Sequence, residues 1–141
     1  MKLQGFLSLA ILAGSIYSSH VFAGSLSVIV HPSSTLKSAS AEEVKRLFLD
    51  KKKSIQGIKL QPIAQNSSQS IRVVFDEDVL GKDSSRSKSY WSRLIFTAKG
   101  MPPPELDSSP AIVKWVAQHP GSIGYVSSDD MKEGVKVLVE L

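Results

Sequence analysis

The chain has 141 residues, no cysteine, and 17 Lys and Arg against 13 Asp and Glu, for a formal charge of +4. Without cysteine, disulfides, thiol catalysis and cysteine-based metal sites are excluded. The mild positive balance suits a small anionic ligand or an acidic partner; nucleic-acid recognition is not expected, for want of a surface that interleaves basic and aromatic residues.

Lys2 is the only early charge, an apolar run follows from Phe6 to Ile16, and Val21 and Ala23 stand where a processing enzyme needs small residues. This pattern predicts a secretory signal peptide, residues 1–23, too short to cross a bilayer as a helix. The remainder, 24–141, is the size of one domain. A signal peptide gives export, without separating periplasm from secretion beyond the cell.

"LSVIV", residues 26–30, is apolar and β-branched and ends at His31-Pro32, so it reads as a buried first strand. Ser40 with Glu43 three residues on makes a capping box, and Val44, Leu47 and Phe48 recur at helical spacing, which predicts a helix over about 41–50. Lys51, Lys52 and Lys53 then suit the negative pole at its end. "IKLQPIAQ" alternates as a strand with Ile58, Leu60 and Ile63 inward, and Pro62 pushes it toward a sheet edge or a bulge.

Ile71, Val74, Phe75 and Val79 form a helical stripe ending at Gly81; Tyr90, Trp91, Leu94, Ile95 and Ala98 form another, stopped by Gly100 and Pro102 to Pro104. Ser109 as cap and Pro110 as first residue predict a further helix, with Ile112, Val113, Val116 and also Trp115 as inward candidates. "HPGSIGYV" turns into a strand, and "VKVLVEL" closes with Val135, Val137 and Val139 on one face. The order β, α, β, α, α, α, β, β packs naturally as an α/β layer with a mixed sheet flanked by helices.

No catalytic set emerges. His31 and His119 each precede a proline in a turn, too few for a histidine metal site. Asp76, Glu77 and Asp78 point in different directions on a helix and read as a solvated face. No serine sits in a nucleophile elbow, and no cofactor is called for. The stretch "AQNSSQSIRVVF", Ala64 to Phe75, is the better candidate. Gln65, Asn66, Ser67, Ser68, Ser70 and Arg72 surround a helix start, whose free N–H groups and positive dipole end can hold an anion. Ser33, Ser34 and Thr35, after the first strand, form a second polar lip. The plainer alternative is that Ser68 or Ser70 caps the helix and Arg72 pairs with Asp76 at i+4.

"AEEVKRLFLDKKKSIQGIKLQPIAQNSSQSIRVVF", "YWSRLIFTAKGMPPP" and "VKWVAQHPGSIGYV" together resemble the substrate-binding proteins of phosphate ABC transporters, and most the short, single-lobed ones grouped with them. Phe48, Leu49, Lys51, Phe75, Trp91 and Pro120 to Val126 carry the resemblance. It implies one lobe of a type 2 periplasmic-binding-protein-like fold in the periplasm, with phosphate or a similar oxyanion as ligand and a transporter membrane component or an envelope protein as partner. The family grips its oxyanion with an arginine and, after three intervening residues, Ser-Gly-Thr. Here Gln65 occupies the arginine position and Gln69, Ser70 and Ile71 the triplet. Arg72 is then the available charge, and a lobe without its pair leaves the site open. The second reading is a ligand-free interaction module of the cell envelope, with Met101, Trp115 and Pro102 to Pro104 as contacts.

Overall fold

The computed structural model describes residues 26–130 and 132–141; the expected signal peptide lies outside the described residues. Strand β1 spans Leu26–Val30 and is buried at every position. That burial explains its mostly apolar sequence, because both faces of the strand are covered, and its one polar residue, Ser27, donates to Glu140. The capping box forms: Ser40 Oγ accepts from the Glu43 N–H and Glu43 Oε2 accepts from the Ser40 N–H, opening α1, Ala41–Phe48. Ser54–Ile55 (β2) and Ile58–Lys59 (β3) make a hairpin. Its two-residue turn, Gln56 at φ 50° and Gly57 at φ 81°, has the left-handed backbone that matches the twist of the strands.

The expected second strand, 58–65, is broken into three: β3, then β4, Gln61–Pro62, and β5, Ala64–Gln65. Leu60 and Ile63 are buried while Ile58 is half-buried. Helix α2, Ser70–Val74, continues as a π-helical turn over Phe75–Val79 and stops before Gly81, at φ 67°. Helix α3, Ser84–Phe96, starts six residues before its apolar stripe because Asp83 caps it through the Arg86 N–H. It ends at Thr97 with Ala98 at φ 53°, before Gly100. Ile95 and Ala98, expected inward, are exposed.

Glu105–Leu106 (β6) pairs in parallel with β5. Helix α4, Ser109–Gln118, is capped by Ser108, one residue before the expected cap, so Pro110 is its second residue. Ile112 and Val116 are buried and Val113 half-buried, while Trp115 is exposed and stacks on His119, ring centroids 3.8 Å apart. Strand β7 is Ser122–Ser127 and β8 is Lys136–Glu140. The main sheet has the order β4-β7-β1-β8, with β1 antiparallel to both neighbours and β4 parallel to β7. Pro62 therefore lies on an edge strand, as its missing N–H requires.

The sheet carries a core on each face. Val28, Val30, Leu47, Phe48, Phe75, Trp91 and Tyr125 belong to one, and Ile29, Ile63, Ile112, Val116 and Val126 to the other, which α4 covers. Phe75 and Tyr125 stack with centroids 3.8 Å apart, and Phe48 meets Phe75 edge-on at 4.8 Å. On β8 the buried residue is Leu138, whereas Val137 is exposed and Val135 and Val139 half-buried. A bulge between Val28 and Ile29 shifts the register of β1 against β8, so simple alternation does not hold on this edge strand.

Candidate functional site

Strand β5 ends at Gln65, and the chain then turns through Asn66 to Gln69 into α2. Asn66 makes the turn: its Oδ1 accepts from the Ser68 N–H at 3.0 Å, its carbonyl accepts from the Gln69 N–H at 3.0 Å, and Nδ2 donates to Asp107 at 3.2 Å. This is the local bonding that suits asparagine to turns. Gln69 is the N-cap residue, with no side-chain cap bond, so neither Ser68 nor Ser70 caps the helix. Ser67, Ser68 and Ser70 are exposed, and their hydroxyls have no hydrogen-bond partner among the described residues.

Gln65 is not at the surface. It is fully buried: its N–H donates to Tyr125 Oη at 3.1 Å, and Nε2 donates to Ser109 Oγ at 2.7 Å and to the Tyr125 carbonyl at 3.1 Å. Its Oε1 is buried without a partner among the described residues. The side chain thus ties β5 to β7 and α4, in place of reaching a ligand.

Arg72 lies beneath the turn with 13% of its side chain exposed. Nε donates to both carboxylate oxygens of Asp76, at 3.1 and 2.9 Å, and Nη1 donates to the Gln65 carbonyl at 2.7 Å and to Glu105 Oε1 at 2.9 Å. Two acids therefore surround one guanidinium. Burial works against its charge, but Glu105 and Asp76 outweigh that and hold its pKa above the usual value. The expectation that Asp76 belongs to a solvated face is corrected: Asp76 is buried while Glu77 and Asp78 are exposed. Burial raises the Asp76 pKa, and the Arg72 guanidinium only partly offsets it.

The second polar lip is not brought to this site. Val30 of β1 pairs with Ile123, and Pro62 of β4 also pairs with Ile123, but β1 runs antiparallel to β7 and β4 parallel to it. Ser33, Ser34 and Thr35 thus leave the sheet at the Ser122 end, whereas Gln65 and the turn after it lie toward Tyr125. Ser33 instead bonds His31 Nδ1 at 2.7 Å, and the Ser34 carbonyl accepts from Lys136 at 3.1 Å.

Sequence reasoning missed Glu105, Ser109 and Tyr125 as the groups that surround Gln65 and Arg72. None of them lies near the turn in sequence, and only the β5–β6 and β5–β7 approaches bring them in. No group of three or more His, Asp or Glu suited to a metal occurs among the described residues.

No family model and no curated protein matches the chain. Solved structures do. An ABC-type phosphate transport receptor from Vibrio cholerae superposes with a TM-score of 0.63 at 13% identity, over 82% of this chain and 45% of the receptor. PstS from Borrelia burgdorferi superposes with a TM-score of 0.62 at 13% identity, over 82% of this chain and 46% of PstS. The chain spans less than half the length of these proteins, and the shared feature is the fold: a mixed sheet between helices, matching a single-lobe portion of a phosphate-transport receptor.

Proposed function

We propose that this chain is an exported solute-binding-like domain, in which phosphate or a similar oxyanion docks on the turn between β5 and α2, as part of ABC-type phosphate uptake. The observation that carries the reading is the shared fold together with an open turn whose three serine hydroxyls, Ser67, Ser68 and Ser70, are exposed and unengaged. Hydroxyls at a helix start donate to an oxyanion beside the first free N–H groups of the helix. Asn66 shapes the turn, Gln65 anchors it from below, and Arg72 contributes a charge already shared with Asp76 and Glu105. One guanidinium against two carboxylates, with Asp107 bonded to Asn66 beside them, leaves a net negative field, so a dianion binds weakly unless a second body closes over the open face.

Thermal unfolding with added phosphate, and sulfate as control, tests this. A bound anion at a hundredfold excess over its dissociation constant stabilises the fold by about 2.7 kcal/mol. A Ser67→Ala, Ser68→Ala, Ser70→Ala triple variant keeps its stability without anion and loses the response. A triple variant that responds like the parent chain places the anion elsewhere.

The full pairing of Arg72 favours a second reading, an envelope interaction module that has given up the ligand. Under it neither anion shifts the melting curve, and a partner is recovered from envelope extract.

A further inference from the structure

The C-terminal ends of α1 and α3 meet. Tyr90 Oη donates to the Leu49 carbonyl at 2.6 Å, and the Met101 N–H donates to Asp50 Oδ2 at 3.3 Å. Asp50, Lys53, Ile95, Ala98, Lys99 and Met101 line one shared groove. At this tip three apolar side chains face water: Phe96 is 92% exposed, Met101 74% and Ile95 53%. Lys53 and Lys99 line the same groove, Lys52 lines the adjoining hollow together with Met101, and Lys51, next in sequence to Asp50, is exposed. Asp50 is the one carboxylate lining the groove, and it is bound to Lys53 and to the Met101 N–H.

Residues 84–104 hold Arg86, Lys88, Arg93 and Lys99 and no acid. Two helix C-termini account for lysines nearby, since cations offset the negative dipole ends. They do not account for a phenylalanine held in water.

We propose that this tip docks on an anionic lipid surface, with Phe96, Met101 and Ile95 entering the interface and the lysine collar on headgroup phosphates. Charge complementarity selects this occupant. Protein interfaces are depleted in lysine, whereas each lysine near an anionic bilayer adds to attraction and an apolar tip gives it purchase. The proposal is independent of the oxyanion site, which lies on another part of the chain.

The chain has no cysteine, so Met101→Cys carries a single environment-sensitive fluorophore, and Asp129→Cys, beyond the Ser127 end of β7, serves as control. With vesicles rich in phosphatidylglycerol the probe at 101 shifts to the blue and the probe at 129 does not. Phosphatidylcholine vesicles give no shift, and high salt reverses it. Lys51→Gln with Lys52→Gln lowers vesicle partitioning roughly thirtyfold, and Phe96→Ser lowers it about tenfold or more. No shift at 101 with anionic vesicles overturns the proposal and leaves the tip to a protein partner. Equal shifts with both lipids, or at both positions, overturn it as well.

Discussion

The Arg72 guanidinium and the Asp76 carboxylate, one helical turn apart, form a two-oxygen ion pair with side chains only 13% and 11% exposed. Glu105 and the Gln65 carbonyl complete the guanidinium's partners and bind the start of the helix to β5 and β6. Arg72 is thus a structural tie first, and any anion on the turn above competes with two acids for its charge.

Removing one partner from a buried pair leaves the other uncompensated. Arg72→Ala is expected to cost about 3–5 kcal/mol of folding stability, read from urea unfolding. Arg72→Met with Asp76→Leu recovers most of that loss. A double variant no more stable than the single one shows that Asp76 and Arg72 are not coupled.

Gly124 sits where β7 meets α4. A Cβ built there lies 2.6 Å from Ile112 Cγ2 and 3.2 Å from Ile63 Cγ2. Gly124→Ala is expected to overpack the core by about 1–3 kcal/mol, and Ile112→Val in the same chain does not restore it, since valine keeps a γ-methyl at the contact. Ile112→Ala relieves the clash at the cost of its own cavity. Melting temperatures of the four chains separate these terms.

Burial pushes the Tyr125 phenol well above its ordinary value of 10.0. Below pH 10 it is protonated folded and unfolded, so it adds no pH dependence. Above pH 10 the unfolded chain gives up this proton while the folded chain keeps it, and stability falls by about 1.4 kcal/mol per pH unit. Tyr125→Phe removes that share of the alkaline slope, leaving the smaller part due to Tyr90, whose pKa burial also raises. The variant also starts about 1–3 kcal/mol lower, because the Gln65 N–H loses its acceptor.

The capping box of α1 predicts its own loss. Ser40→Ala should cost about 1 kcal/mol, and Glu43→Ala less, because Glu43 supports an exposed N–H. Equal stability of Ser40→Ala and the parent chain would show that α1 is held by packing of Val44, Leu47 and Phe48 alone.

Features set by near neighbours were legible in the sequence: the Ser40–Glu43 box, the buried first strand, the Pro62 edge and the i+4 pairing of Arg72 with Asp76. Features set by distant partners were not. The direction of β1 against β7 is not written in "LSVIV", so nothing local shows that Ser33 to Thr35 lie at the end of the sheet away from the turn. The bulge at Val28 and Ile29 altered which β8 residue is buried. The stretch 84–89 carries no apolar stripe, so the only local sign of the start of α3 is its cap, Asp83. The position of Gln65 before the turn suggests a ligand contact, while its burial depends on Ser109 and Tyr125, 44 and 60 residues away.

Isothermal titration of the folded chain with phosphate at low salt, with sulfate as control, reads whether the turn from Asn66 to Ser70 takes an oxyanion. Saturable heat with phosphate, absent from the triple serine variant, is the expected result. A folded sample that gives no heat with phosphate contradicts it, and the lobe is then an interaction module whose serines are merely exposed.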